Sequence, residues 1–278
     1  MLPKTLHTVI GAGQSLDTVK AAISLCESDG CHLAVTVIGI APPPPGVVYG
    51  VMPNEAWAKE RDTGQRQAQA QAEAVSALLA AAQVSGDVAH YYCDEGQAAA
   101  FAGLRARYAD LSLLQTGDQM DDLVFDRALQ GQLFESARPV LAVPGAALPV
   151  LRAKEVLIAW NATAEATRAV HCALDMLREA DTVHIAMIDP VASESQQGEE
   201  PGSDLAAYLA RHGMNVSVEV LASGSRNQGE VILQHATDIG AGMIVMGGYG
   251  HSRLREYIFG GVTKYLLDHA TMPLLMAH

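Results

Sequence analysis

The chain has 278 residues, enough for one large domain or two of ordinary size, and 49% of them are hydrophobic although only 5% are aromatic. Its 18 basic and 31 acidic residues give a net charge of −13, which excludes the basic footprint that nucleic acids and anionic membranes require. The four cysteines (Cys26, Cys31, Cys93, Cys172) form no CxxC pair and no metal-ligand spacing, so they read as free thiols of a reducing compartment.

Taken in chain order, residues 6–10 read as a strand, 16–28 as a helix and 32–40 as a second strand. A proline run at 42–45 opens an irregular loop, and 54–84 is a long alanine-rich helix. Then follow a strand at 88–93, a helix at 97–108, a strand at 110–115, a helix around 125–136 and a strand at 139–143. The Pro/Gly-bounded stretch 144–149 separates this half from the next, placing domains at 1–144 and 151–278.

The second half repeats the order. Strands at 155–160, 182–188, 215–222, 242–246 and 273–277 alternate with helices at 164–179, 203–212, 229–240 and 262–269. Strands alternating with helices of this length predict an α/β fold with parallel sheets covered on both faces, and a repeat of about 135 residues predicts two such domains in tandem. No segment approaches the roughly 20 apolar residues of a membrane span, and residues 1–6 lack an apolar signal core, so the expected location is cytoplasmic.

The chemistry-bearing pattern lies in the second half: Gly247-x2-Gly250-x9-Gly260, followed by Gly261-Val262-Thr263. A glycine loop leaving a buried strand, with bare N–H groups at the next helix start, suits phosphate. The amides point outward unpaired, the helix dipole favours an anion, and missing Cβ atoms allow close approach. The alternative is that these glycines only permit a tight turn.

Set on the fourth strand and followed by the Pro273-bearing final strand, this motif resembles that of the universal stress protein family, and the whole chain resembles its tandem form. The resemblance implies two Rossmann-like, adenine nucleotide alpha hydrolase-like domains, with ATP or AMP across the carboxyl ends of the first and fourth strands of the second. By motif, Gly247 and Gly250 would admit the ribose and phosphates. Gly260, Gly261 and Val262 would offer amides, Thr263 a hydroxyl, and Met246 and His251 would flank the loop. On the first strand, Ala159, Trp160 and Asn161 would meet the adenosine part, with Asn161 where the family usually has Asp; the alternative for Asn161 is a helix N-cap. The backbone of Met187 would meet the adenine edge. Gly261 stands where the family carries Ser or Thr, and the missing hydroxyl costs about 0.5–1.5 kcal/mol of binding.

The first half lacks this motif. Gln115 and Asp118 fall at the positions of Gly247 and Gly250, and Asp126 and Arg127 at those of Gly260 and Gly261. Carboxylates there repel phosphate, so this half reads as a degenerate copy, a pairing partner or a separate pocket beneath the 42–52 loop. Gly11-Ala12-Gly13 lacks the third glycine of a dinucleotide fingerprint. GxxxxGK[ST], GxSxG and HExxH are absent, and His90, His171 and His184 read as core or surface rather than ligands. No acid–base pair is positioned for turnover, so activity is expected at most as weak ATP hydrolysis with Mg2+ held through the phosphates. The resemblance further implies terminal strands paired as an intramolecular pseudo-dimer, room for a homodimer, and a regulatory protein partner. A nucleotide-free interaction module is the rival reading.

Overall fold

The computed structural model of the chain describes residues 3–44, 55–117, 122–145, 151–190, 200–249 and 261–278. They divide into two compact units, a first comprising Pro3–Arg138 and a second comprising Pro139–Pro144 with Pro149–His278. The first unit runs β1 (Thr5–Gly11), α1 (Asp17–Asp29), β2 (His32–Ile40), α2 (Glu55–Ala82), β3 (Gly86–Cys93), α3 (Glu95–Ala106), β4 (Leu111–Thr116) and α4 (Asp122–Gln130), the last continuing into a π-helical turn at Gly131–Glu135. Its strands lie in the order β3-β2-β1-β4, and the β1, β2, β3 and β4 pairings given by register are all parallel. Residues Leu6–Gly11 of β1 are all buried, as expected of a strand covered on both faces.

Local sequence explains the element ends. Helix α1 buries Thr18, Val19, Ala22, Ile23, Leu25 and Cys26, a 3.6-residue stripe, and stops at Gly30. With φ at 66°, Gly30 takes the left-handed conformation that closes a helix, donating to Cys26 O at 2.8 Å while Cys31 N reaches the same carbonyl at 3.3 Å. The long helix α2 buries only Ala68, Ala72, Val75 and Leu79, from its midpoint onward.

The second unit runs β5 (Val140–Pro144), β6 (Glu155–Ala159), α5 (Ala164–Leu177), β7 (Thr182–Ile188), α6 (Ser203–Arg211), β8 (Val216–Leu221), α7 (Gln228–Asp238), β9 (Met243–Gly247), α8 (Gly261–His269) and β10 (Leu274–Ala277). Its strand order is β5-β10-β9-β6-β7-β8. All neighbours are parallel except β5, which runs antiparallel to β10 with Leu141 opposite Leu275. The mostly parallel α/β class expected from the alternation of strands and helices is the fold observed. Among the described residues no helix is long and apolar enough to cross a membrane.

Candidate functional site at the carboxyl end of the second sheet

Parallel pairing brings distant residues to one place. Ala159 at the end of β6 is in register with Ala186 of β7 and Met246 of β9, and Gly247 is opposite Ala277 of β10. Ala159, Trp160, Asn161, Met187, Met246 and Gly247 therefore gather at the carboxyl end of the sheet, where open α/β sheets take ligands. Helix α8 crosses back from β9 to its parallel neighbour β10, so its first turn, Gly261-Val262-Thr263, starts on that same side. Gly250, His251 and Gly260 lie outside the described residues.

The two described motif glycines do different work. A Cβ on Gly247 would sit 2.6 Å from Ala166 N and 3.0 Å from Glu165 Cβ, so Gly247 lets the start of α5 press against the end of β9. A Cβ on Gly261 would meet nothing within 4 Å, and the residue is exposed at the first turn of α8. Val262 is half-buried, and Thr263 is 4% exposed, so its side chain belongs to the packed face of the helix.

At the end of β6, Trp160 N extends the ladder by donating to Ala186 O at 2.9 Å, and its indole is half-buried. The N-cap of α5 is Thr163, whose hydroxyl accepts from Ala166 N at 3.3 Å; Asn161, considered as that cap, stands two residues earlier. Its Oδ1 instead accepts from Thr163 Oγ1 at 2.9 Å and Thr163 N at 3.3 Å, holding the cap in place. Ala162 between them has φ 57°, a left-handed conformation with no glycine to signal it. Met187 is 1% exposed, and Gly202 leaves room for its thioether: a Cβ there would lie 2.7 Å from Met187 Cε. Asp189, just beyond β7, accepts from Ser223 N at 3.1 Å, and the bonds from Ser223 hold its carboxyl below the usual range. Sequence gave no hint of that link between two loops.

A second polar cluster joins β6, β7, β8 and α7. His184 on β7 is placed 2.9 Å from Glu155 Oε2 and 3.0 Å from Glu219 Oε1, and Glu219 also meets His235 of α7 and Ser217. Burial opposes charge on His184, but the hydrogen bonds to Glu219 and Glu155 outweigh it and raise the pKa. For Glu219, burial is likewise outweighed by bonds from His184, Ser217 and His235, which hold it low. Among the described residues no group of three His, Cys, Asp or Glu is placed to hold a metal ion.

In the first unit, Gln115 is buried and bridges Thr18 and the Gly145 carbonyl, filling the place of a motif glycine. Asp118 lies outside the described residues. Asp126 and Arg127 sit a turn inside α4 rather than at its start, and Arg127 reaches Glu95 at 2.5 Å.

Residues 153–278 match the model of the universal stress protein family. No curated protein is a detectable relative of the chain by sequence. Among solved structures, the chain is similar to a universal stress protein from Archaeoglobus fulgidus DSM 4304, at 15% identity over 98% of this chain and 97% of that one, with a TM-score of 0.66. A candidate universal stress protein from Pseudomonas aeruginosa UCBPP-PA14 aligns at 15% identity over 99% and 93%, with a TM-score of 0.59. A protein of unknown function from Pseudomonas aeruginosa PAO1 aligns at 15% identity over 99% and 92%, with a TM-score of 0.56. At such identities the likeness speaks for the fold. The chain is thus an α/β protein whose residues 153–278 match the universal stress protein family.

Proposed function

We propose that the second unit binds an adenine nucleotide, ATP or AMP, across the ends of β6, β7 and β9, and acts as a nucleotide-responsive stress factor read by a protein partner. The observation that carries this reading is the open first turn of α8, where nothing lies within 4 Å of a Cβ placed on Gly261. Unpaired amides at a helix start attract a phosphate, with a helix-dipole contribution of roughly 0.3–1 kcal/mol. Trp160 and Asn161, at the end of the neighbouring strand, are at hand for the base and ribose, and a neutral Asn161 amide offers hydrogen bonds without charge. A bound nucleotide would supply the negative charge that this helix start lacks, and Mg2+ would be held through its phosphates. The first half serves here as a degenerate copy without a nucleotide.

The test is to denature freshly purified protein and identify the released small molecules by mass spectrometry. An equimolar adenine nucleotide, lost in Gly250→Trp, is the expected result. An empty chain whose melting temperature is unmoved by millimolar ATP or AMP overturns the reading and leaves the interaction module. Steady turnover of ATP above background would add the hydrolase.

A further inference from the structure

The first unit carries a cleft of about 860 Å3 at the carboxyl ends of β1, β2 and β3, beneath the first half of α2. Such volumes are those of small-molecule sites. Its origin is visible in α2. The inward stripe of that helix is fully buried at Leu79, Val75, Ala72 and Ala68, but Ala56, Lys59, Thr63 and Gln67, which line the cleft, are exposed.

The floor is built rather than accidental. The Tyr92 ring lies between two glycines: a Cβ on Gly39 would come 2.8 Å from Tyr92 Cδ2, and one on Gly64 2.6 Å from Cε2. Ile38, Ile40 and Val124 extend this apolar surface.

The polar groups define the ligand. Three amides around the turn after β1 are spent internally: Gly11 N donates to Gln14 Oε1 at 2.8 Å, Ala12 N to Ile38 O at 2.9 Å and Gln14 N to Gly11 O at 3.2 Å. Those three amides are not available to a phosphate. Among the charged residues lining the cleft, Lys59 is balanced by Glu60. Gln14 Nε2, by contrast, is buried with no hydrogen-bond partner although its Oε1 is bonded. A buried amide donor without a partner costs free energy that an incoming acceptor recovers.

We propose that this cleft binds an uncharged, largely apolar small molecule whose carbonyl or other acceptor receives a hydrogen bond from Gln14 Nε2. The assignment is independent of the nucleotide reading, which concerns the other unit.

The test uses Nile red, uncharged and carbonyl-bearing, as the probe, with the anionic dye 1-anilinonaphthalene-8-sulfonate as charge control, on the full chain. The expected result is a saturable, equimolar blue shift of Nile red emission and no saturable signal from the anion. Gln14→Glu keeps the oxygen that accepts from Gly11 N and removes the donor, and should weaken Nile red about tenfold. Thr63→Trp, on an exposed helix position, should block the cleft and abolish the shift. Unchanged far-UV circular dichroism confirms that the variants fold, and Gln14→Glu remains decisive if Thr63→Trp does not. No saturable Nile red signal, equal binding of the anion, or a signal untouched by both variants overturns the proposal.

Discussion

Glycines 247 and 261 show how one sequence motif hides two physical roles. The Gly247 Cα is pinned between β9 and the start of α5, so Gly247→Ala should lower stability by about 1–3 kcal/mol through overpacking, read as a fall in melting temperature without ligand. Gly261 faces open space, so Gly261→Ser should leave the melting temperature unchanged. If a phosphate sits at that turn, the added hydroxyl should tighten adenine nucleotide binding several-fold, a gain of about 0.5–1.5 kcal/mol measurable by calorimetry. Neither affinity nor stability moving in Gly261→Ser would count against phosphate at this turn. Asn161 is a similar case, since its carboxamide oxygen already serves the Thr163 cap and its value to a ligand rests on the remaining donors.

At the scale of elements, helix starts and helix crossings decide the local geometry. Helix α5 depends on Thr163, and Thr163→Ala should cost about 1 kcal/mol by leaving the Ala166 amide without its side-chain acceptor. Thr163→Ser should restore most of it, which denaturant titration would check. In the first unit, α3 and the π turn at Gly131–Glu135 touch through glycines: a Cβ on Gly103 would lie 2.7 Å from Gly131 O, and one on Gly131 would run into the Ala99 carbonyl. At Gly131 the nearest obstacle is backbone, which yields little, so Gly131→Ala should cost toward the upper end of about 1–3 kcal/mol in the same assay. That turn delivers Gln132 into the core, where its Nε2 meets His7 Nδ1 at 3.3 Å.

For the whole molecule, these contacts make the two units respond oppositely to mild acid. His7 is wholly buried, and burial, followed by the charge of Arg105, lowers its pKa from 6.5 to about 3. The unfolded chain takes up a proton below pH 6.5 that the folded first unit refuses until about pH 3, so its stability falls with pH over that interval. At pH 5 the loss is about 2 kcal/mol. In the second unit, the raised pKa of His184 gives stability that is fully present below 6.5 and is lost as pH rises through the folded value. The lowered pKa of Glu219 gives stability present above 4.5 and lost as pH falls through its folded value, so the cluster is strongest between those limits. Amide hydrogen exchange at pH 7 and pH 5, corrected for the intrinsic rate, should show β1 less protected and β7 more protected at the lower pH. Parallel changes in both would refute this assignment.

The α/β class and the position of nearly every strand and helix were legible in the sequence, because burial on both faces leaves apolar runs and helices leave a 3.6-residue stripe. Gly30 closes α1 through its left-handed conformation, a local property, whereas Gly247 acts through close packing against the start of α5. The start of α8 was legible within a residue. The Asn161 and Thr163 roles were not, since either side chain caps a helix and only the backbone path through Ala162 chooses between them. The gathering of Ala159, Met246 and Gly247 depends on strand order, and the cleft over Tyr92 depends on where α2 leaves the sheet. The Glu155–His184–Glu219–His235 cluster joins four elements that no spacing connects. The sequence by itself determined the local elements and the motif, whose causes act over a few residues; only the tertiary structure decided which groups meet, because those contacts arise from pairing and packing between residues far apart along the chain.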